Sequence, residues 1–177
     1  MVAGLSQAQR HKRRFNAVIT LEDPACRPGI RLRFHRKPAP AHLVLAFEDV
    51  DDETLGVRVA TRDQVGEALA FARAHAADAL LVHCFHGVGR SAAVALAILA
   101  DRAGPGGEQA ALDRLLAIRP EATPNLVVVK LADKILGRDG SLAATLAAWE
   151  SATPGLAKKR AARLQMVRSN PQAYSWL

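Results

Sequence analysis

Hydrophobic and polar positions follow two rhythms along this chain. In the first half, short apolar runs alternate with polar, proline-bearing stretches. Ala17 to Glu22 predicts a strand stopped by Pro24, Leu43 to Phe47 a buried strand followed at once by acidic residues, and Ala79 to His83 another buried strand. Residues 27–41, rich in proline and arginine, predict a loop around a short edge strand near Ile30 to Phe34. Helical spacing appears first at Thr61 and Gln64, a capping-box pattern opening a helix to Ala77 with Val65, Ala68, Leu69 and Ala72 on one face. Ser91 to Ala103 is apolar almost all round, which predicts a central helix ended by Gly104-Pro105. Helices alone follow: Glu108 to Ile118, Asn125 to Leu136 and Leu142 to Trp149, with Pro120, Pro124 and the Gly137 to Gly140 turn between them. Thr123-Pro124 predicts the start of the second of these, a threonine cap with proline at the first helical position.

Strands alternating with helices, then helices alone, predict an α/β fold: a short, mostly parallel sheet flanked by helices, with a helical C-terminal half. A chain of 177 residues suits one domain, residues 1–150, followed by a basic and helical appendage, residues 151–177. With 50% hydrophobic and 23% charged residues, the composition is that of an ordinary globular protein. Two cysteines, Cys26 and Cys84, are too few for a disulfide framework, which points to a reducing compartment. No apolar run reaches the ~18–20 residues of a membrane span. Arg10 to Arg14 lacks the order of a secretory signal, so a cytoplasmic location is expected. The net charge of +7 gathers at Arg10 to Arg14 and at Lys158 to Arg168. Solvated ends are the expected reading of both clusters, ahead of contact with nucleic acid or an anionic membrane, since no zinc-finger spacing or aromatic interleaving accompanies them.

Candidate chemistry concentrates in one stretch, His83-Cys84-Phe85-His86-Gly87-Val88-Gly89-Arg90-Ser91, between a predicted strand and a predicted helix. A glycine-bearing loop opening a helix offers backbone N–H groups to an oxyanion. Arg90 adds a fork matched to two phosphate oxygens. The same positive field stabilises Cys84 as a thiolate, placing a nucleophile beside a bound phosphate. The loop falls at the carboxyl end of a strand, where ligands bind in open α/β sheets.

His83-Cys84, five intervening residues and Arg90-Ser91 match the H-C-x5-R-[S/T] loop, and the chain resembles the protein tyrosine phosphatase superfamily, above all its compact, dual-specificity-like bacterial members. Arg119, Pro124 and Asn125 echo the stretch that follows the active-site helices there, and Asp23-Pro24 resembles the end of the leading strand in small bacterial members. The resemblance spans roughly residues 17–137. It implies that Cys84 attacks phosphorus and forms a phosphocysteine, without metal or cofactor. It implies that Arg90 and the amides of Phe85, His86, Gly87, Val88, Gly89 and Arg90 hold the phosphate. Ser91 would assist the departing thiolate, while His83 and Asn125 would support the loop.

An aspartate some thirty residues before the cysteine would serve as general acid. Asp49, after Phe47-Glu48 at the strand's end, is the choice, with Asp51 and Asp52 as alternatives. Gly89 stands where relatives carry a small polar or basic residue, and no counterpart of a phosphotyrosine-clamping loop is visible, which implies a shallow cleft. The expected substrate is a phosphorylated protein, phosphotyrosine first with phosphoserine and phosphothreonine beside it. The absence of lysine from the loop leans away from phosphoinositides. The rival readings are a catalytically silent phosphate-binding module, a phosphoinositide phosphatase and, further off, rhodanese-like sulfur transfer. Cys26 is expected to have no role, although a reversible disulfide with Cys84 is the other reading.

Overall fold

The computed structural model describes residues 1–35 and 37–177. Its sheet holds four parallel strands in the order β1-β4-β2-β3, with β1 at Val2–Ala3, β2 at Ala17–Glu22, β3 at Ala41–Ala46 and β4 at Leu80–His83. The helices are α1 (Leu5–His11), α2 (Arg62–Ala74), α3 (Arg90–Ala103), α4 (Glu108–Ile118), α5 (Leu126–Ile135), α6 (Ser141–Ala152) and α7 (Leu156–Ser169). This is the α/β architecture expected from the alternation of strand and helix patterns. The expected helices fall in place within a few residues, and Thr61 and Gln64 close a complete capping box on α2.

The sheet separates two apolar clusters. Ala3, Ala8, Val18, Leu32 and Leu81 fill the smaller one. The larger one gathers side chains of α2 to α6 around α3, where every residue from Arg90 to Ile98 is buried. Ala92, Ala93, Ala95 and Ala97 keep α3 slim, so that α2, α4, α5 and the sheet all reach it. This packing fixes the one helix whose first turn carries the site.

Four expectations need correction. No strand forms at Ile30 to Phe34; a 3-10 turn at Pro28–Ile30 leads into irregular chain instead. There Leu32 is pulled into the smaller core, while Arg31 and Arg33 fold back onto Glu22, so the backbone lies off the sheet edge. The strand read at Leu43 to Phe47 is not buried on both faces: β3 pairs only with β2 and leaves Val44 exposed. Asn125, not Thr123, caps α5, with its Oδ1 accepting from Val128 N at 3.1 Å. The basic C-terminal segment is not wholly solvated: Lys158 and Lys159 face water, but Arg160 and Arg163 are drawn onto the rest of the molecule. Strand β1 and helix α1 carried no periodic signal, being too short to show one.

Candidate active site

Three neighbouring strands deliver their chemistry to the same edge of the sheet. Cys84 follows β4, Asp23 follows β2, and Phe47, Glu48 and Asp49 follow β3. Between Cys84 and α3 the loop carbonyls are drawn outward one after another. Phe85 O accepts from Leu5 N at 3.0 Å, Val88 O from Thr123 N at 2.8 Å, and Gly89 O from Ala93 N at 2.9 Å and Asn125 N at 3.3 Å. Arg119 Nη2 donates to His86 O at 3.4 Å. With the carbonyls committed, the amides of Phe85, His86, Val88, Gly89 and Arg90 have no acceptor among the described residues. Gly87 N donates to Cys84 Sγ at 3.2 Å, and Ser91 Oγ lies 3.2 Å from the same sulfur. Free amides around a sulfur at the mouth of a helix form a concavity for an anion.

Gly87 is required by geometry as well as by turn preference. Its φ is +82°, and a Cβ there would overlap the backbone of Ala3 and Gly4. The N-terminal strand and helix therefore form a floor under the loop.

Arg90 is nearly fully buried and held at one end of its guanidinium. Its Nη1 donates to Phe47 O at 2.7 Å and pairs with Asp23 at 2.8 Å. Its Nε is buried with no partner among the described residues. A buried guanidinium nitrogen without a partner is costly unless a ligand satisfies it. Burial disfavours the charge on Arg90, yet the fields of Asp49, Asp23 and Cys84 outweigh it and raise the guanidinium above its ordinary value.

His83 is buried beneath the loop and does not line the cleft. Its Nε2 lies 2.8 Å from Thr20 Oγ1, its Nδ1 3.4 Å from Cys84 O, and Thr20 Oγ1 lies 2.7 Å from His42 Nε2. A carbonyl can only accept, so Nδ1 of His83 carries its proton and Nε2 accepts from Thr20. Thr20 in turn accepts from His42. Burial, the largest cause in both, lowers His83 and His42 from 6.5 to about 4. Both rings therefore stay neutral when the unfolded chain begins to take up protons. Native protein binds fewer protons between those values, so stability rises with pH across the window and is lost on acidification from about pH 6.5 towards 4. Urea midpoints measured across that range decline for the wild type, and decline less steeply for the His42→Asn/His83→Asn protein. Equal slopes would contradict this account of the histidine pair.

The loop after β3 distinguishes its three aspartates. Asp52 accepts from Thr54 N and Thr54 Oγ1 on the exposed side. Asp51 is taken up by structure: Oδ1 accepts from Leu126 N at 2.9 Å, capping α5, and Oδ2 accepts from Arg160 at 2.8 Å. Asp49 alone of the three lines the cleft with Arg90, its Oδ1 accepting from Asn125 Nδ2 at 3.1 Å. Asn125 thus touches the loop before α3 through Gly89 O and the loop after β3 through Asp49 and Val50 O.

The glycine before Arg90 also acquires a reason. A Cβ on Gly89 would overlap the Asp49 carboxylate. The obstructing atoms end a side chain, so on substitution the carboxylate moves and the loop does not. Gly89→Ser should therefore displace the Asp49 carboxylate and leave the loop backbone in place.

The C-terminal segment packs on the loop after β3 and on Thr123-Pro124, which the sequence pattern did not reveal. Arg160 binds Asp51 and Glu150 and donates to Pro124 O, while Arg163 holds Thr123 through its carbonyl and hydroxyl. Past α7, Ser175 N donates to Glu48 Oε1 at 2.9 Å, and Trp176 forms an antiparallel bridge with Val57. The resulting cleft of about 390 Å³ is lined by Phe85, His86 and Val88 of the loop before α3 and by Arg163, Met166, Ala173 and Tyr174 of the C-terminal segment. The arginine spacing in residues 160–163 was the available signal, hidden inside what read as a charge run. Cys26 shares the lining of a separate cavity of about 20 Å³ with Cys84. Burial, then Glu22 and Asp23, push the Cys26 thiol up, which works against thiolate chemistry there.

No family model matches the chain, and no curated protein is similar to it in sequence. Solved structures are similar in fold. Human DUSP28 superposes with a TM-score of 0.57 at 22% identity, covering 77% of this chain and 90% of its own. A mouse putative dual specificity phosphatase, complexed with zinc tungstate, gives 0.54 at 24% identity over 77% and 79%. PTPMT1 in complex with PI(5)P gives 0.54 at 22% identity over 78% and 91%. The chain has the fold of the dual-specificity phosphatases.

Proposed function

We propose that this chain is a cysteine-dependent phosphatase of the protein tyrosine phosphatase superfamily, hydrolysing phosphate monoesters of proteins. Phosphotyrosine is the first substrate, with phosphoserine and phosphothreonine beside it. The observation that carries this reading is the cradle: free loop amides and the unpartnered Nε of Arg90 around the sulfur of Cys84. The fold shared with DUSP28 and the mouse enzyme supports the same class. PTPMT1 was solved with a phosphoinositide, but here Asp23, Glu48 and Asp49 line the cleft, a poor match to a multiply anionic headgroup.

In the first step the thiolate of Cys84 attacks phosphorus in line. The S–P bond forms as the ester P–O bond breaks, and Asp49 gives its proton to the leaving oxygen. Charge on the equatorial oxygens is met by the loop amides and by Arg90, already in place. In the second step Asp49 takes a proton from water, the water oxygen attacks phosphorus, and the thiolate leaves. The Ser91 hydroxyl and Gly87 N–H, both 3.2 Å from sulfur, receive that negative charge. No step needs a metal. Purified protein should hydrolyse p-nitrophenyl phosphate with chelator present; turnover restored only by divalent metal would oppose this mechanism.

A further inference from the structure

Residues of the C-terminal segment line the cleft together with the loop before α3. We infer that Tyr174 is a specificity-determining residue that packs against the aryl group of the substrate, so that the site selects aryl over alkyl phosphates. This inference rests on the phosphatase reading of the same site.

Two observations carry it. The first is the composition of the lining. Phe85 from the loop and Met166 from α7 are 47% and 61% exposed. Both line the cleft with Tyr174, and Val88 and Ala173 extend the apolar surface. A ring entering the cleft would remove apolar surface from water and meet an aromatic face and a thioether, both favourable neighbours for it. The ester chain of phosphoserine has no ring to offer this lining.

The second observation is that the lining at Tyr174 is built in advance. Tyr174 packs on the cluster of Val50, Val57 and Val167. The backbone just beyond it is held by Ser175 N to Glu48, by Arg58 N to Ser175 O at 2.8 Å and by Leu177 N to Gly56 O at 3.0 Å. Trp176 Nε1 ties the turn back to Pro171 O at 2.9 Å. A fixed aromatic side chain loses little freedom on binding, so its contact is realised as selectivity. Burial, then the fields of Glu48, Asp49 and Asp23, push the Tyr174 phenol above its ordinary value, which keeps the ring neutral over the carboxylates.

The test uses the full chain carrying Cys84→Ser, which binds without turning over. Affinities for phenyl phosphate and for inorganic phosphate are measured by calorimetry, with Tyr174 intact and replaced by Phe, Leu or Ala. Tyr174→Ala should weaken phenyl phosphate about five- to tenfold while phosphate moves less than about twofold. Tyr174→Phe should retain the wild-type ratio. Tyr174→Leu, which keeps apolar contact with the valine cluster, should lose selectivity while the segment stays in place. Equal weakening of both ligands, or none, would overturn the inference, as would failure of either ligand to bind. Absence of turnover in the parent protein would instead count against the phosphatase reading, and the binding comparison would still decide the role of Tyr174.

Discussion

Replacing Cys84 by serine should lower hydrolysis of aryl phosphates on the order of 10⁴-fold or more, while inorganic phosphate or vanadate still raises the melting temperature. The two halves of this result come from different parts of the site. Turnover depends on a nucleophile that leaves as readily as it attacks, and a serine alkoxide does neither at neutral pH. Binding depends on the loop amides and on Arg90, which the substitution leaves untouched. Arg90 is held by Phe47 O and Asp23 through Nη1, while its Nε keeps no partner among the described residues. A phosphate-binding module without catalysis would show binding unaffected by the substitution and no turnover to lose.

Asp49→Asn should separate substrates by leaving group. Alkyl phosphates and phosphotyrosine need protonation of the departing oxygen and should slow by about 10²–10³-fold. p-Nitrophenyl phosphate leaves well without it and should slow far less. Asn keeps the side chain's size, so the hydrogen bond between positions 49 and 125 can persist and the fold is not at issue. Asp51→Asn should behave differently, since Asp51 joins α5 to Arg160. It should lower thermal stability and affect leaving groups evenly. A leaving-group-dependent loss at Asp51 with none at Asp49 would reverse the assignment made from their positions.

The sequence made the centre of this site legible and its surroundings much less so. Cys84, Arg90 and Ser91 are visible because a glycine-bearing loop between a strand and an apolar helix fixes their geometry within nine residues. Asp49 could be narrowed only to three carboxylates. What distinguishes them is long-range: Asn125 reaches Asp49, and Arg160 with the α5 N-terminus claims Asp51. The floor under the loop escaped notice because Gly4 and Leu5 act through backbone close approach and a single amide, which leave no pattern. Arg160 and Arg163 lay within a run of basic residues whose default reading is solvated surface. Where an apolar run was taken as a buried strand, β3 proved to be an edge, because periodicity reports apolar character but not which neighbour covers it. The strand expected at Ile30 to Phe34 fails to form for a related reason: one buried leucine and two arginines paired with Glu22 hold that chain without sheet hydrogen bonds.

The central claim is that a phosphoryl group passes through Cys84. Asp49→Asn protein mixed with p-nitrophenyl phosphate and quenched in acid within the first turnovers tests it directly, by mass spectrometry of the peptide carrying residues 84–90. The account predicts one added phosphoryl group on Cys84, absent from the Cys84→Ser protein and chased by further incubation. A phosphoryl group on any other residue, or steady turnover with none trapped, would contradict it.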